Sequence, residues 1–262
     1  MPRLAGKVAI ITGAASRGAG VGNGAATAIL FAREGAQVVL VNRTAERAET
    51  LAREIGEQGG EAAAFAADVS KPEQAEAMVS FAIERFGKLD ILHNNVGVGG
   101  RGGTPATLDI ADWNFVLETN LTSAMLCCRY AIPRMLEAGG GSIINVSSSV
   151  GAIGMAGSAG ATAYAASKAG MGGLTLSIAA DYAAKGIRAN CLVVGTVNTP
   201  MVARLGPDAL ERRRQMVPMQ TEGTAWDVGY AAVYLASDES RWVTGLMLPI
   251  DGGLAAIRAW PR

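Results

Sequence analysis

Cysteine, histidine and charged residues are scarce in this sequence. Of the three cysteines, Cys127 and Cys128 are adjacent, and the set has neither a disulfide framework nor the spacing of metal ligands. His93 is the only histidine, and its place at the end of an apolar run favours a structural role over catalysis. We therefore interpret the cysteines, including Cys191, as reduced core residues and expect no bound metal.

Neither sign of charge dominates the chain. Lys+Arg and Asp+Glu each number 23, and charged residues make up 18% of the sequence. This balance excludes the basic surface typical of proteins that bind nucleic acid or anionic membranes, and it favours small-molecule partners. No apolar run reaches the ~18 residues of a membrane span, and the chain enters a strand pattern without a signal peptide, so we expect a soluble cytoplasmic protein.

Hydrophobic residues and glycine are abundant instead. Hydrophobic residues make up 50% of the chain, and the 34 glycines indicate many tight turns. Short Val/Ile/Leu runs alternate with amphipathic stretches of helical length; the runs lie at 8–12, 38–41, 62–67, 89–93, 142–147, 187–194 and 246–250. This alternation predicts one α/β domain over 1–262, a Rossmann-type doubly wound parallel sheet of about seven strands with helices on both faces.

Two irregular segments, 97–106 and 200–223, follow the carboxyl ends of predicted strands. Ligands of open α/β sheets bind at this edge, so we predict that both segments are substrate loops. Their apolar side chains, such as Val202 and Met216, indicate a neutral or weakly polar substrate. We interpret the charged run at 211–214 as the solvated face of a lid helix; the alternative is a site for an anionic substrate.

Tyr164 and Lys168 lie four positions apart on a stretch that reads as helix, so their side chains share one face. A phenol titrates near 10 and is a poor proton acceptor at neutral pH unless a neighbour lowers its pKa. A positive charge at roughly 4 Å, with an effective dielectric of about 20, favours the phenolate by about 4 kcal/mol. The spacing thus predicts a general acid/base for an alcohol or a carbonyl oxygen. The alternative is an ordinary surface Tyr–Lys pair.

The first predicted strand ends in the glycine-rich turn TGAASRGAGVGNG, residues 12–24, and a helical stretch follows. Glycines at a strand-to-helix turn let the backbone approach a pyrophosphate and direct helix N-terminal N–H groups toward it. We therefore expect the turn to bind a nucleotide; its candidate contact residues are Gly13, Ser16, Arg17, Gly22 and Asn23.

Further motifs follow in a fixed order: Asn94-Asn95-Val96-Gly97, then Asn120, the serines at 147–149, Tyr164-x3-Lys168 and Asp251-Gly252-Gly253. With the glycine turn, this ordered set resembles the short-chain dehydrogenase/reductase family from about residue 5 to residue 253. The resemblance implies a Rossmann sheet that binds NAD(H) or NADP(H). It also implies reversible hydride transfer between an alcohol and a carbonyl compound.

The resemblance also implies roles for four residues. Tyr164 corresponds to the acid/base, and Lys168 to the partner that lowers its pKa and bonds the nicotinamide ribose. Ser148, selected by aligning Asn145-Val146-Ser147-Ser148, corresponds to the residue that orients the substrate oxygen. Asn120 resembles the asparagine that holds a proton-relay water. The further cofactor contacts implied are Asp68, Val69, Asn95, Gly97, Gly195, Val197 and Thr199.

The chain departs from the family pattern at three places. Arg17 occupies an expected glycine position, and the stretch from Arg17 to Val21 looks inserted. The segment 154–160 is longer than usual and should reshape one pocket wall. Val194 replaces a common proline.

The end of the second predicted strand bears on the choice of cofactor. NAD enzymes commonly place an acidic side chain there, on the ribose diol, whereas this chain has Asn42 followed by Arg43. In the family, basic residues at this position and in the glycine turn, where Arg17 lies, accompany NADP. We predict NADP as the preferred cofactor, with NAD as the alternative.

The function and assembly expected from the sequence follow from these residues. We predict an NAD(P)-dependent alcohol dehydrogenase/carbonyl reductase. A 3-oxoacyl thioester ketoreductase is one alternative, and a non-catalytic nucleotide-binding scaffold is another. A double-bond reductase of the same superfamily usually has a wider Tyr–Lys spacing, which argues against it. Small residues in 121–136 and 165–183, together with the resemblance, predict a homotetramer.

Overall fold

Seven parallel strands form the centre of the protein in a computed structural model, which describes residues 1–16, 20–151, 159–200, 202 and 205–256. The strands are β1 (Val8–Thr12), β2 (Gln37–Asn42), β3 (Glu61–Ala66), β4 (Ile91–Asn94), β5 (Gly141–Ser148), β6 (Ile187–Val194) and β9 (Met247–Ile250). Their order across the sheet is β3-β2-β1-β4-β5-β6-β9. All seven predicted strands are confirmed, with bounds that differ by two residues at most.

Helices cover both faces of this sheet. They are α1 (Asn23–Arg33), α2 (Ala45–Glu57), α3 (Pro72–Phe86), α4 (Ile110–Leu117), α5 (Ser123–Glu137), α6 (Thr162–Tyr182), α7 (Pro207–Met216) and α8 (Ala225–Ala236). Buried residues of α1, α2 and α8 form one apolar cluster with the sheet, and those of α3, α5 and α6 form a second. The predicted doubly wound α/β architecture in one domain is therefore confirmed.

Every residue of β1 is buried because helices cover the sheet on both sides. Apolar side chains must then point both ways, which explains the continuous run VAIIT in place of an alternating pattern. In the described part of the chain, no helix combines the length and the apolar character needed to cross a membrane.

A second, two-stranded sheet lies outside the main one. It pairs β7 (Val197–Asn198) with β8 (Gly223–Thr224) in parallel and joins the two ends of the predicted loop at 200–223. Strands this short carry no periodic signal in sequence, so the pairing was not predicted. The strand order of the main sheet reverses direction between β1 and β4, which opens a crevice at the carboxyl ends of the strands.

Candidate active site

A cleft of about 1470 Å³ lies at the carboxyl ends of β1, β2, β4, β5 and β6. Nearly all residues that the sequence nominated line it: Gly13, Ser16, Gly22, Asn23, Asn42, Arg43, Asp68, Val69, Asn95, Gly97, Ser148, Tyr164, Lys168, Gly195, Val197 and Thr199. Asn120 lies behind the cleft wall and is fully buried. Arg17 lies outside the described residues, as does most of the lengthened segment 154–160. One cleft therefore unites residues that are far apart in the sequence.

The glycine turn closes tightly on the start of α1. A Cβ atom added at Gly24 would lie 2.2 Å from the carbonyl oxygen of Gly13, and Gly13 itself has a positive φ of +63°. The Ser16 hydroxyl accepts a hydrogen bond from the Gly22 N–H at 2.8 Å, and the Asn95 amide donates to the Gly13 carbonyl at 3.1 Å. These contacts hold Gly13, Gly22 and Gly24 close together at a helix N-terminus, an arrangement that fits a pyrophosphate.

The end of β2 forms another part of the cleft. The Asn42 side chain hydrogen-bonds to main-chain groups. Its Nδ2 donates to the carbonyl of Ala15 at 3.0 Å, and its Oδ1 accepts from the N–H of Thr44 at 3.0 Å. The Arg43 guanidinium lies 4.0 Å from the Asp68 carboxylate, and its side chain is 49% exposed. Burial raises the pKa of Asp68, but hydrogen bonds from Ser70 and the charge of Arg43 outweigh it, so that pKa is lowered overall.

Tyr164 and Lys168 project from α6 on one face, as their spacing predicts. Lys168 Nζ lies 5.9 Å from the centre of the Tyr164 ring and donates a hydrogen bond to the carbonyl of Val146 at 2.8 Å. Burial raises the pKa of Tyr164, and a hydrogen bond with Ser148 acts in the opposite direction. The expected lowering of this pKa by Lys168 is thus not what the structure gives, because the phenol is desolvated and the ammonium is directed at a main-chain oxygen.

Lys168 is itself strongly desolvated, with only 4% of its surface exposed. Burial lowers its pKa from 10.5 to about 8, against a weaker opposite effect of Cys191. The folded protein therefore releases this proton near pH 8, whereas the unfolded chain keeps it up to about pH 10.5. Because the unfolded state binds more protons in this window, the contribution of Lys168 to stability rises with pH.

This linkage predicts a measurable difference between the parent and a Lys168→Met variant. The free energy of unfolding of the parent, relative to that of the variant, should increase by about 2 kcal/mol between about pH 8 and pH 10. Urea unfolding of both proteins across this range measures the difference, in which the other titrating groups cancel. A difference that stays constant with pH would show that the pKa of Lys168 is the same in the folded and unfolded states.

Ser147 and Ser148 at the end of β5, and Ser149 directly after it, make different hydrogen bonds. The Ser147 hydroxyl donates to the carbonyl of Lys168 at 2.6 Å and so fixes β5 to α6. The backbone N–H of Ser149 bonds the carbonyl of Val194 at 2.8 Å. Ser148 lines the cleft and accepts a hydrogen bond from the Val150 N–H at 3.2 Å. Ser147 and Ser149 line the cleft as well, and Ser148 is the serine whose side chain hydrogen-bonds with Tyr164. The choice of Ser148 as the substrate-orienting residue stays a prediction.

Asn120 lies in a π-helical turn, Glu118–Thr122, between α4 and α5. Its Oδ1 accepts from the N–H of Val98 at 2.8 Å, and its Nδ2 donates to the carbonyl of Val98 at 2.9 Å and to the Ser167 hydroxyl at 3.0 Å. The side chain thus joins the loop after β4 to the helix that carries Tyr164. A Cβ atom added at Gly97 would lie 3.3 Å from Lys168 Nζ, so that loop passes directly over the ammonium.

Sequence reasoning missed several residues of the cleft wall. Arg213 lines the cleft and pairs with Glu222 at 2.8 Å, although the run 211–214 was interpreted as a solvated face. That interpretation is wrong for Arg213, because its side chain is only 27% exposed and faces Glu222. Phe115 and Leu254 also line the cleft. A helical wheel of α7 would have placed Arg213 on a different face from Arg212. No signal in the sequence indicated that Arg213 pairs with Glu222.

His93 and the cysteines lie away from this chemistry. His93 is fully buried beside the Phe31 ring, at a centroid distance of 6.3 Å, and burial lowers its pKa to about 3. It is therefore neutral. The three cysteines are free and buried, and burial raises the pKa of Cys191 to about 11. Among the described residues, no group of three or more His, Cys, Asp or Glu side chains is placed to hold a metal ion.

Comparison with known proteins identifies the family to which this site belongs. A family model described as enoyl-(acyl carrier protein) reductase matches residues 13–255. A 2,5-dichloro-2,5-cyclohexadiene-1,4-diol dehydrogenase from Sphingobium indicum is 40% identical over 251 residues, covering 96% of this chain and 97% of that protein. A cis-4-hydroxycyclohexanecarboxylate dehydrogenase from Sinomonas cyclohexanicum is 40% identical over 254 residues, covering 97% of this chain and 98% of that protein.

A solved structure assigned to the short-chain dehydrogenases/reductases, from Burkholderia xenovorans, superposes with a TM-score of 0.92. Its sequence is 41% identical, and the match covers 99% of this chain and 100% of that chain. The chain belongs to the short-chain dehydrogenase/reductase family. It is an NAD(P)-dependent oxidoreductase, an alcohol dehydrogenase/carbonyl reductase that interconverts a ketone and a secondary alcohol.

Proposed function

We propose that Tyr164, Ser148 and Lys168 carry out this reaction in the described cleft, and that Asn120, buried behind the cleft wall, supports them. The observation that supports the proposal is the convergence of the three cleft residues in the same cleft as Gly13, Gly22 and Gly24. The bound nicotinamide cofactor supplies the hydride. The cradle of Gly13, Gly22 and Gly24 would hold its pyrophosphate, and Lys168 would contact its ribose.

The protein side of the reaction is proton transfer to the substrate oxygen. In the direction of reduction, Tyr164 donates its phenolic proton to the carbonyl oxygen, and its raised pKa keeps that proton in place at neutral pH. The Ser148 hydroxyl holds the same oxygen in line with the phenol. Asn120 keeps the loop after β4 and α6 in register, as its hydrogen bonds to Val98 and Ser167 indicate.

We propose secondary alcohols on a six-membered ring, and the matching ketones, as the substrate class. Both relatives named above act on substituted cyclohexane or cyclohexadiene alcohols, as their names state. Apolar side chains from several parts of the chain line the cleft and suit such a ring: Phe115, Val150, Val202, Met216 and Leu254. The segments 97–106 and 200–223 serve as substrate loops in this proposal, since residues of both line the cleft.

The alternatives make different predictions. The description of the matching family model names an acyl carrier protein substrate. A 3-oxoacyl thioester ketoreductase would favour a basic docking surface, for which a net charge of zero gives little support. A double-bond reductase is disfavoured by the Tyr164-x3-Lys168 spacing. A non-catalytic scaffold would bind the cofactor without turnover.

A substrate screen separates these possibilities. Purified protein is mixed with NADPH or NADH and with cyclohexanone, a substituted cyclohexanone, acetoacetyl-thioester or an enoyl thioester, and absorbance at the nicotinamide band is followed. We expect cofactor oxidation with the cyclic ketones. Oxidation with the thioesters alone would favour the ketoreductase or enoyl reductase, and cofactor binding without any oxidation would favour the scaffold.

We propose NADP(H) as the preferred cofactor on the strength of Asn42 and Arg43. Asn42 carries no charge that would repel a 2′-phosphate, and the half-exposed Arg43 lines the cleft beside Asp68. A guanidinium–phosphate hydrogen bond contributes roughly 1.5–3 kcal/mol. Asn42→Asp should therefore lower kcat/KM with NADPH by at least about tenfold, which is about 1.4 kcal/mol. Steady-state kinetics of the parent with each cofactor are the first measurement, and a clear parental preference for NADH would refute the role of Arg43.

We also propose that the protein assembles as a homotetramer. Apolar side chains of α5 and α6 are partly exposed, Met125 by 40% and Leu176 by 53%. Small residues on the same helices permit close approach of a second copy. Light scattering at micromolar concentration is expected to give the mass of four chains, and Leu176→Glu is expected to lower it. A parent that is monomeric at this concentration would contradict the proposal.

A further inference from the structure

Helix α7 covers part of the cleft although it has no buried side chain of its own. A helix without buried apolar surface gains little from packing, so its place depends on few attachments. One attachment follows its carboxyl end, where Val217 is 2% exposed and packs directly against Gly252. Another, among the described residues, is Arg213 within the helix.

Arg213 connects α7 to two other segments. Its Nε donates to the Glu222 carboxylate at 2.8 Å, and its Nη2 donates to the carbonyl of Val197 at 3.4 Å. The pair is largely shielded from water, since the side chain of Arg213 is 27% exposed and that of Glu222 is 12% exposed. A shielded, hydrogen-bonded ion pair is screened less than a surface pair and constrains geometry more.

The partners of Arg213 belong to a well-anchored part of the fold. Val197 pairs with Gly223 between β7 and β8, and the N–H of Gly223 donates to the carbonyl of Thr196 at 3.0 Å. Asp227 and Thr224 then form a capping box at the start of α8, which packs into the core. Glu222 is therefore adjacent to a well-anchored part of the fold.

Gly195, Val197 and Thr199 form the 195–199 segment, which lines the cleft and carries proposed cofactor contacts. Met216 of α7 lines the same cleft among the proposed substrate contacts. Arg213 connects these two parts of the cleft. It belongs to α7, and its side chain hydrogen-bonds to the carbonyl of Val197 and to Glu222. Displacement of α7 would therefore break the hydrogen bond from Arg213 to Val197 in the 195–199 segment.

We propose that Arg213 is a positioning residue which, through its hydrogen bond to the Val197 carbonyl and its ion pair with Glu222 beside the β7–β8 pair, ties α7 to the 195–199 segment. In this way it couples cofactor binding to the substrate wall of the cleft. The coupling is reciprocal, because any ligand that favours the joined arrangement strengthens the binding of the other. This inference rests on the proposed use of the cleft for a nicotinamide cofactor and a ketone.

Cofactor binding tests the proposal without turnover. NADPH and NADH fluorescence titrations give dissociation constants for the parent, Arg213→Gln, Glu222→Gln and the double variant. We expect each single variant to weaken binding of the preferred cofactor by about fivefold or more, and the double variant to be no weaker than either single variant, because both remove one pair. Arg213→Lys should recover part of the loss.

A matched control is available one residue away. Arg212 is exposed on the same helix and does not line the cleft, so Arg212→Gln removes the same charge without touching the pair. It should bind cofactor as the parent does. Kinetics with cyclohexanone, if reduced by the parent, should show KM raised and kcat changed by less than about twofold for Arg213→Gln.

Several results would overturn the proposal. Additive losses in the double variant would show that Arg213 and Glu222 act separately. An unchanged cofactor dissociation constant with a raised KM would make Arg213 a substrate contact, and equal losses in Arg212→Gln would show a general charge effect. The titrations remain informative if no ketone is reduced, so failure of the proposed substrate class is distinguished from failure of this coupling. If Arg213→Gln does not fold, Glu222→Gln and Arg213→Lys provide the same comparison.

Discussion

Replacing Tyr164 with phenylalanine is expected to lower turnover by about 10²-fold or more while the fold survives. The change removes one hydroxyl group and preserves the ring, which lies half-buried on α6 above the ammonium of Lys168. The lost group is the proton donor in the proposed reaction, so kcat should fall while the cofactor dissociation constant changes little. Single-turnover absorbance and fluorescence titration measure the two quantities separately.

Tyr182→Phe provides the control for this experiment. Tyr182 lies on the same helix, but it packs against the apolar cluster of α3 and α5 and does not line the cleft. Loss of its hydroxyl should leave turnover within about twofold of the parent, because no proposed step uses it. If Tyr164→Phe keeps near-parental turnover, another group donates the proton and the assignment of Tyr164 is wrong.

Gly24→Ala is expected to weaken cofactor binding by at least about tenfold, equivalent to about 1.4 kcal/mol. The added methyl group would lie 2.2 Å from the carbonyl oxygen of Gly13 and 2.7 Å from Nδ2 of Asn95. Neither neighbour can yield without opening the glycine turn, since one is backbone and the other holds that backbone in place. Overpacking of this kind costs about 1–3 kcal/mol, so a lower unfolding midpoint should accompany the loss of binding.

Gly56→Ala isolates the effect of position from the effect of the substitution. Gly56 lies inside α2, and an added Cβ atom would have no neighbour within 4 Å. Alanine is the better helix former, so this variant should gain roughly 0.5–1 kcal/mol of stability and keep its cofactor affinity. Equal affinities of the Gly24→Ala variant and the parent for both NADPH and NADH would contradict the assignment of the turn as a pyrophosphate cradle.

Much of the fold was predictable because it depends on local periodicity. The runs at 8–12 and 187–194 match β1 and β6 to the residue. β1 is almost continuously apolar because it is buried on both faces, and β6 is mostly apolar, with Arg188 and Asn190 as its polar residues. The glycine turn and the shared helix face of Tyr164 and Lys168 could be predicted for a similar reason, because each lies within one turn or one helix. The paired strands β7 and β8 were not, since two-residue strands form through distant pairing alone.

Local patterns in the sequence were enough to predict the order of strands and helices, the glycine turn and the candidate catalytic residues. How those residues meet depends on the tertiary structure. It directed Lys168 to the carbonyl of Val146, raised the pKa of Tyr164 through burial, and placed Asn120 between Val98 and Ser167. It also paired Arg213 with Glu222 across nine positions. Desolvation and hydrogen bonds between separate elements depend on three-dimensional neighbours, which no local pattern of residues records.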